Sequence, residues 1–166
     1  LLPNALAINL AVEKTSQNEV LIADIGNPSV AFDLKITNNL GPGTFEFYNL
    51  AGFSMSPERI TLNSRETKEI NLQLSPIGKI SQRGYYTIPY FIRAADTSEI
   101  EESVTFKIIE LHEAFEVGSG DVDPKSQSIE IFIKNLEEVD FNMVSVKFSS
   151  PFFNVEKNFE IGPRET

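Results

Sequence analysis

Across residues 59–93 the apolar side chains recur at every second position. Ile70, Leu72 and Leu74 alternate with Asn71, Gln73 and Ser75, after a polar knot, Asn63-Ser64-Arg65-Glu66-Thr67. A Ser-Pro-Ile-Gly turn and a loop follow, and then Ile88, Tyr90 and Ile92 share one face of a second run opened by Gly84-Tyr85-Tyr86. A period of two belongs to a pleated strand with one wet face; a helix scatters such residues around its axis. The stretch is therefore committed to two half-buried strands, the middle of a β-sandwich.

The rest of the first two thirds follows the same rule. Ile8, Leu10 and Val12 alternate with Asn9, Ala11 and Glu13, and a short run covers 20–24. Val30, Phe32, Leu34 and Ile36 point inward against outward Ala31, Asp33, Lys35 and Thr37. Runs at 45–50, 53–57 and 103–111 complete the set, the last with Val104, Phe106 and Ile108 on the core face. Turn residues punctuate them at Gly26-Asn27-Pro28, at 38–43 and at 94–98. About eight strands at 8–12 residue spacing, without a helical pattern, predict an all-β, antiparallel, immunoglobulin-like sandwich. Pro89 lies inside a strand yet cannot donate to a ladder, so a bulge or an outward-facing position is expected there.

Gly84-Tyr85-Tyr86 resembles the Gly-x-Tyr that opens the sixth strand of immunoglobulin-like domains. The resemblance implies that the Tyr86 hydroxyl bonds nearby backbone. It also puts Ile88, packed on Leu34 or Ile36, where such domains often carry a disulfide cysteine. From Pro57 through Thr67 to Tyr86 the pattern resembles the disulfide-free immunoglobulin-like or fibronectin type III-like modules of archaeal and bacterial cell-surface proteins. Similar modules are appended to carbohydrate-active enzymes. The resemblance covers residues 8–112 and carries fold more than function.

The remainder echoes the beginning. Phe32-Asp-Leu-Lys-Ile-Thr-Asn38 returns as Ile129-Glu-Ile-Phe-Ile-Lys-Asn135, 97 residues on, and Arg65-Glu66-Thr67 returns as Arg164-Glu165-Thr166, 99 residues on. That spacing is about the length of one sandwich. The reading is thus a complete sandwich at 8–112 and an incomplete second immunoglobulin-like sandwich at 113–166. Residues 1–7, with Ala5-Leu6-Ala7, have the form of a signal-peptide remnant. The second copy stops at the knot, so strands that would cover Ile129, Ile131, Ile133, Phe141, Val146 and Phe148 are expected from elsewhere in a longer protein. Its sheet edges invite protein–protein contacts or self-association.

Charge and motifs narrow the chemistry. With 24 acids and 14 bases the formal charge is −10, which repels a phosphate backbone and argues against nucleic acid as a partner. Cysteine is absent, so thiolate chemistry and disulfides are excluded. No apolar run reaches the length that inserts a helix into a membrane. The lone histidine, His112, and the absence of Gly-x-Ser-x-Gly, H-E-x-x-H and P-loop motifs predict no enzyme and no cofactor. One weak calcium site is expected from Glu116, Asp121 and Asp123 around Gly118-Ser119-Gly120, because alternating acids in a hinge loop suit that ion. Phe132, Phe152 and Phe153 form the candidate interaction patch. Together these features predict a structural or interaction module, a spacer or adhesion stalk, on a prokaryotic, and more narrowly an archaeal, cell surface or in a secreted protein. The alternatives are an accessory module of a secreted carbohydrate-active enzyme and a ligand-binding receptor ectodomain.

Overall fold

The computed structural model describes residues 8–120, 125, 129–151 and 153–166. The chain separates into two compact units, 1–109 and 110–166, so the boundary expected after His112 falls after Ile109.

The first unit holds nine strands: β1 (Leu10–Lys14), β2 (Val20–Ile22), β3 (Val30–Asn38), β4 (Gly43–Tyr48), β5 (Phe53–Ser56), β6 (Arg59–Leu62), β7 (Thr67–Pro76), β8 (Gly84–Ala94) and β9 (Glu99–Ile109). They form two sheets, in the orders β1-β3-β7-β5 and β2-β9-β8-β4-β6. The two strands on either side of the Ser-Pro-Ile-Gly turn, β7 and β8, lie in different sheets, as the centre of an immunoglobulin-like sandwich requires. All neighbours in the first unit are antiparallel except β2 and β9, which run parallel from Val20↔Lys107 to Ile22↔Ile109. The wholly antiparallel expectation fails there because the chain changes sheets between β1 and β2.

Alternation is realised residue by residue. β3 and β7 pair from Val30↔Leu74 to Thr37↔Thr67, which sets Phe32 against Leu72 and Leu34 against Ile70. These side chains are buried in one core with Phe47, Tyr90, Ile92, Val104 and Phe106 from the other sheet. Phe32 and Tyr90 meet across it with ring centroids 5.7 Å apart. On the outer faces, threonine pairs span neighbouring strands: Thr37 with Thr67 at 2.8 Å, Thr44 with Thr61 at 3.1 Å and Thr87 with Thr105 at 2.7 Å. Pro89 takes the outward-facing option. It sits opposite Ser103 without a bulge, and β4 pairs with β8 only from Tyr48↔Phe91 onward, so no neighbouring strand on that side asks it for a donor.

The second unit begins with one helical turn, α1 (Leu111–Ala114), which period-two reading did not foresee. It is closed by the Glu110 N–H donating to the Glu113 carboxylate at 2.7 Å. Four strands follow: β10 (Phe115–Ser119), β11 (Ile131–Asn135), β12 (Phe141–Ser149) and β13 (Asn154–Ile161). They make two antiparallel ribbons, β10-β11 and β12-β13. Among the described residues the only buried apolar side chains of this unit are Ala114 and Ile161, whereas the first unit buries 21.

Candidate interaction surfaces

The two units share one construction detail. In the first, the Asn38 side chain, 1 % exposed, donates from Nδ2 to the carbonyls of Gly41 (2.8 Å) and Asn63 (3.1 Å), and its Oδ1 accepts from the Leu40 N–H (3.1 Å). The Asn38 N–H donates to the Glu66 carbonyl, and the Asn63 N–H to the Glu66 carboxylate at 2.6 Å. One side chain thus ties the end of β3, the loop behind it and the turn that launches β7.

Asn135, fully buried, does the same. Its Nδ2 donates to the carbonyls of Val139 (2.7 Å) and Gly162 (2.8 Å), and its Oδ1 accepts from the Glu137 N–H (2.8 Å). The Asn135 N–H donates to the Glu165 carbonyl, and the Gly162 N–H to the Glu165 carboxylate at 2.6 Å. Even the backbone strain recurs, with Arg65 at φ 60° and Arg164 at φ 57°.

The drift of the echo from 97 to 99 residues is also located. The pair Gly43↔Leu62 corresponds to Phe141↔Ile161, and Phe45↔Ile60 to Val144↔Phe159. One residue is added in the loop after Asn135, and a second as a register shift between Phe141 and Val144. That bulge keeps Val144, Val146 and Phe148 on one face, as Phe45 and Phe47 are.

What differs is the covering. In the first unit β3 lies between β1 and β7; β11 has β10 on one side and no strand on the other among the described residues. A groove of about 510 Å³ results, lined by Ile131, Ile133, Val146, Phe148, Phe159 and Ile161, with Glu130, Lys157 and Glu160 at its lip. Ile129 and Ile131 are exposed, and Ile133, Phe141, Val146 and Phe148 are only half-buried.

Of the expected recognition residues, Phe132 faces away from the inward isoleucines but lays its ring over Gly118, its cross-strand partner. A Cβ on that glycine would collide with the ring. Phe153 is 47 % exposed in the turn between β12 and β13, where its carbonyl accepts from the Ser150 N–H at 2.8 Å. Phe152 lies outside the described residues, as do Asp121 and Asp123. Glu116, the remaining member of the calcium set, sits on β10 opposite Lys134. No group of three metal-ligating side chains occurs among the described residues. His112 is exposed on α1, its Nδ1 3.3 Å from a Glu110 carboxylate oxygen.

Tyr86 corrects an expectation. Its parity is right, half-buried where Tyr85 is 77 % exposed, but its hydroxyl makes no hydrogen bond among the described residues. The ring instead lines a cleft with Ile80, Ile88 and Phe106. The deeply buried tyrosine is Tyr90, whose hydroxyl is held protonated well above the usual range by desolvation.

A second surface escaped sequence reading. On the outer face of the five-stranded sheet the Tyr48 and Phe91 rings stack at 5.1 Å, and the Arg93 guanidinium lies 4.9 Å from the Tyr48 centroid. Arg93 pairs with Glu46 at 2.6 Å, Arg59 pairs with Glu46 at 3.1 Å, and the Tyr48 hydroxyl donates to Glu99 at 2.5 Å. The Arg93 and Arg59 hydrogen bonds hold the Glu46 carboxyl below its usual range. The Glu99 hydrogen bond raises the Tyr48 hydroxyl. Phe91, an aromatic at outward parity between Tyr90 and Ile92, was the signal that could have revealed it. Among the described residues no helix is long and apolar enough to cross a membrane.

No family model matches the chain, and no curated protein matches it. Among solved structures it is similar to a FixG-related protein from Vibrio parahaemolyticus (15 % identity, TM-score 0.46, 60 % of this chain and 94 % of that one). It is similar to the E. coli chaperone DraB (10 %, TM-score 0.44, 96 % and 84 %) and to a PapD-like domain of human CEP192 (14 %, TM-score 0.40, 60 % and 85 %).

Proposed function

We propose that this chain is a non-catalytic spacer and interaction segment of an archaeal or other prokaryotic protein, exported or held at the cell surface. It is built from immunoglobulin-like modules in series. Residues 8–109 are one module, and 110–166 are the opening half of another. The observation that carries the reading is the recurrence of the Asn38 knot at Asn135, hydrogen bond for hydrogen bond. A buried asparagine tying three backbone segments is an architectural device, and one repeated about a module's length later supports serial construction. The lack of cysteine lets such modules fold alike in reducing and oxidising surroundings.

The decisive experiment is protease shaving of intact cells that make the full-length protein. Peptides from residues 8–166 should be released without lysis. Release only after lysis overturns the surface assignment.

A further inference from the structure

Strand β4 does not follow β8 back to its beginning. After Tyr48, which lies opposite Phe91, the Asn49 side chain takes the chain out of the sheet. Its Oδ1 accepts from the Ala51 and Phe53 N–H groups (3.0 and 3.2 Å), and its Nδ2 donates to the Phe53 carbonyl (2.8 Å). Gly52, at φ 82°, completes the turn into β5, which belongs to the other sheet. From Pro89 back to Gly84, β8 therefore has β9 on one side and, among the described residues, no strand on the other. The register says which backbone groups face that gap. The Lys107 N–H donates to the Glu19 carbonyl, away from β8. Its partner Tyr85, and Thr87 two residues on, accordingly turn their N–H and C=O groups away from β9. Pro89 offers only a carbonyl there. Beside this edge lies a groove of about 450 Å³ whose walls include Phe53, Ile80, Tyr86, Ile88 and Phe106. Among the described residues Lys79 is the one charged side chain that lines it, in a chain of net charge −10. Leu50 and Ile77 stand exposed in the two loops that frame it, which are joined by the Ile77 N–H donating to the Gly52 carbonyl at 2.9 Å.

We propose that this edge and groove bind an extended segment of a partner chain, antiparallel to β8, in the place that β4 vacates. Its residues opposite Ile88 and Tyr86 are apolar and enter the groove. Those opposite Pro89, Thr87 and Tyr85 face outward, where threonine extends the Thr87–Thr105 pair. At its C-terminal end the segment reaches the loop that holds Lys79 and carries an acid there. Backbone bonds to Tyr85 and Thr87 supply the affinity, and the groove and Lys79 supply the selection. A second copy of this chain fits less well. Two β8 edges paired about Thr87 would set Pro89, which has no N–H, opposite Tyr85, and would bring together two chains each of charge −10. The proposal concerns the first unit alone and holds whether or not the second unit opens a further module.

The probe is a labelled hexapeptide, acetyl-Thr-Ile-Thr-Ile-Thr-Asp-amide, titrated into the 166-residue chain. Its residues are placed to lie in order opposite Pro89 down to Gly84. It should bind saturably and slow the exchange of the Tyr85 and Thr87 amides. N-methylation of the central threonine removes one ladder donor and no side chain, and should weaken binding about tenfold, a difference of about 1.4 kcal/mol. Lys79→Glu, a change at an exposed loop residue, should make a lysine-ended peptide bind better than the aspartate-ended one. If the methylated peptide binds equally well while both amides still exchange fast, the groove takes an apolar ligand and not a strand, and the proposal falls. It falls also if no peptide binds saturably. Protection of both amides before any peptide is added overturns it in either form: in a monomer the edge is not open, and in a chain that sediments as a dimer a second copy holds it.

Discussion

The two units use the same tie and bury very different amounts. Leu34 is 1 % exposed and its counterpart Ile131 is 39 % exposed, although each sits at the same place before a fully bonded asparagine. The comparison separates two jobs that are usually merged. A polar knot fixes where the chain turns and which strand comes next; it contributes little to the burial that makes a domain cooperative. The apolar face supplies that, at about 25 cal/mol per Å² removed from water, and only once a second layer covers it.

The sharpest way to break the comparison is a pair of truncations. Leu34→Ala should cost about 3–5 kcal/mol, because it removes a fully buried side chain and leaves a cavity. Ile131→Ala should cost less than about 1 kcal/mol. Urea unfolding followed by tyrosine fluorescence reads the first unit alone, since Tyr48, Tyr85, Tyr86 and Tyr90 all lie in it; exchange-resolved amides read the second. Equal costs would mean that 110–166 is a finished domain.

Next come the knots. Asn38→Ala leaves three part-buried backbone groups without their partner and should destabilise the first unit by about 2–3 kcal/mol. Asn135→Ala should abolish amide protection in the second unit while leaving the tyrosine-detected transition where it was. A knot variant that moves both transitions together would show the units to be one cooperative body.

A smaller effect tests the outer face of the first unit. Glu46 is held low by Arg93 and then Arg59. A carboxyl depressed in the folded chain adds stability above its unfolded pKa, near 4.3, and that stability is lost as pH falls through the folded value. Glu46→Gln should therefore flatten the loss of stability of the first unit below about pH 4.3 and alter little at pH 7 beyond the broken pair. The smallest effect is expected at Tyr86, where Phe should change stability by less than about 0.5 kcal/mol, since no hydroxyl bond is lost. A loss above about 1 kcal/mol would reinstate the tyrosine corner.

The first unit was legible because each inward residue of 30–37, 70–74 and 88–92 has a wet neighbour, and two-fold alternation survives without knowledge of the partner strand. The knot residues were visible as two echoes in sequence, but their roles were not. Nothing local says that an asparagine side chain will reach a carbonyl 25 or 27 residues away. Tyr86 misled for the opposite reason: a local pattern was clear, and the acceptor it needed is a property of the packed loop around it. The Tyr48–Phe91 stack stayed hidden because the outward parity of Phe91 marks its face of β8 but not which neighbouring strand supplies a second ring.

The register shift between Phe141 and Val144 has a consequence for how such a chain changes length. An inserted residue inside a strand ordinarily inverts every side chain beyond it. Here the strand swallows the extra residue as a bulge, so Val144, Val146 and Phe148 keep their facing while the numbering slips by one. On the serial-module reading, insertions are filtered by phase: those absorbed in a loop or a bulge persist, and those that would turn a face inside out are lost. Copies that diverge this way cease to align without gaps long before they cease to share a fold. The distance between buried asparagines is then a better ruler for finding further modules than the identity of the residues between them.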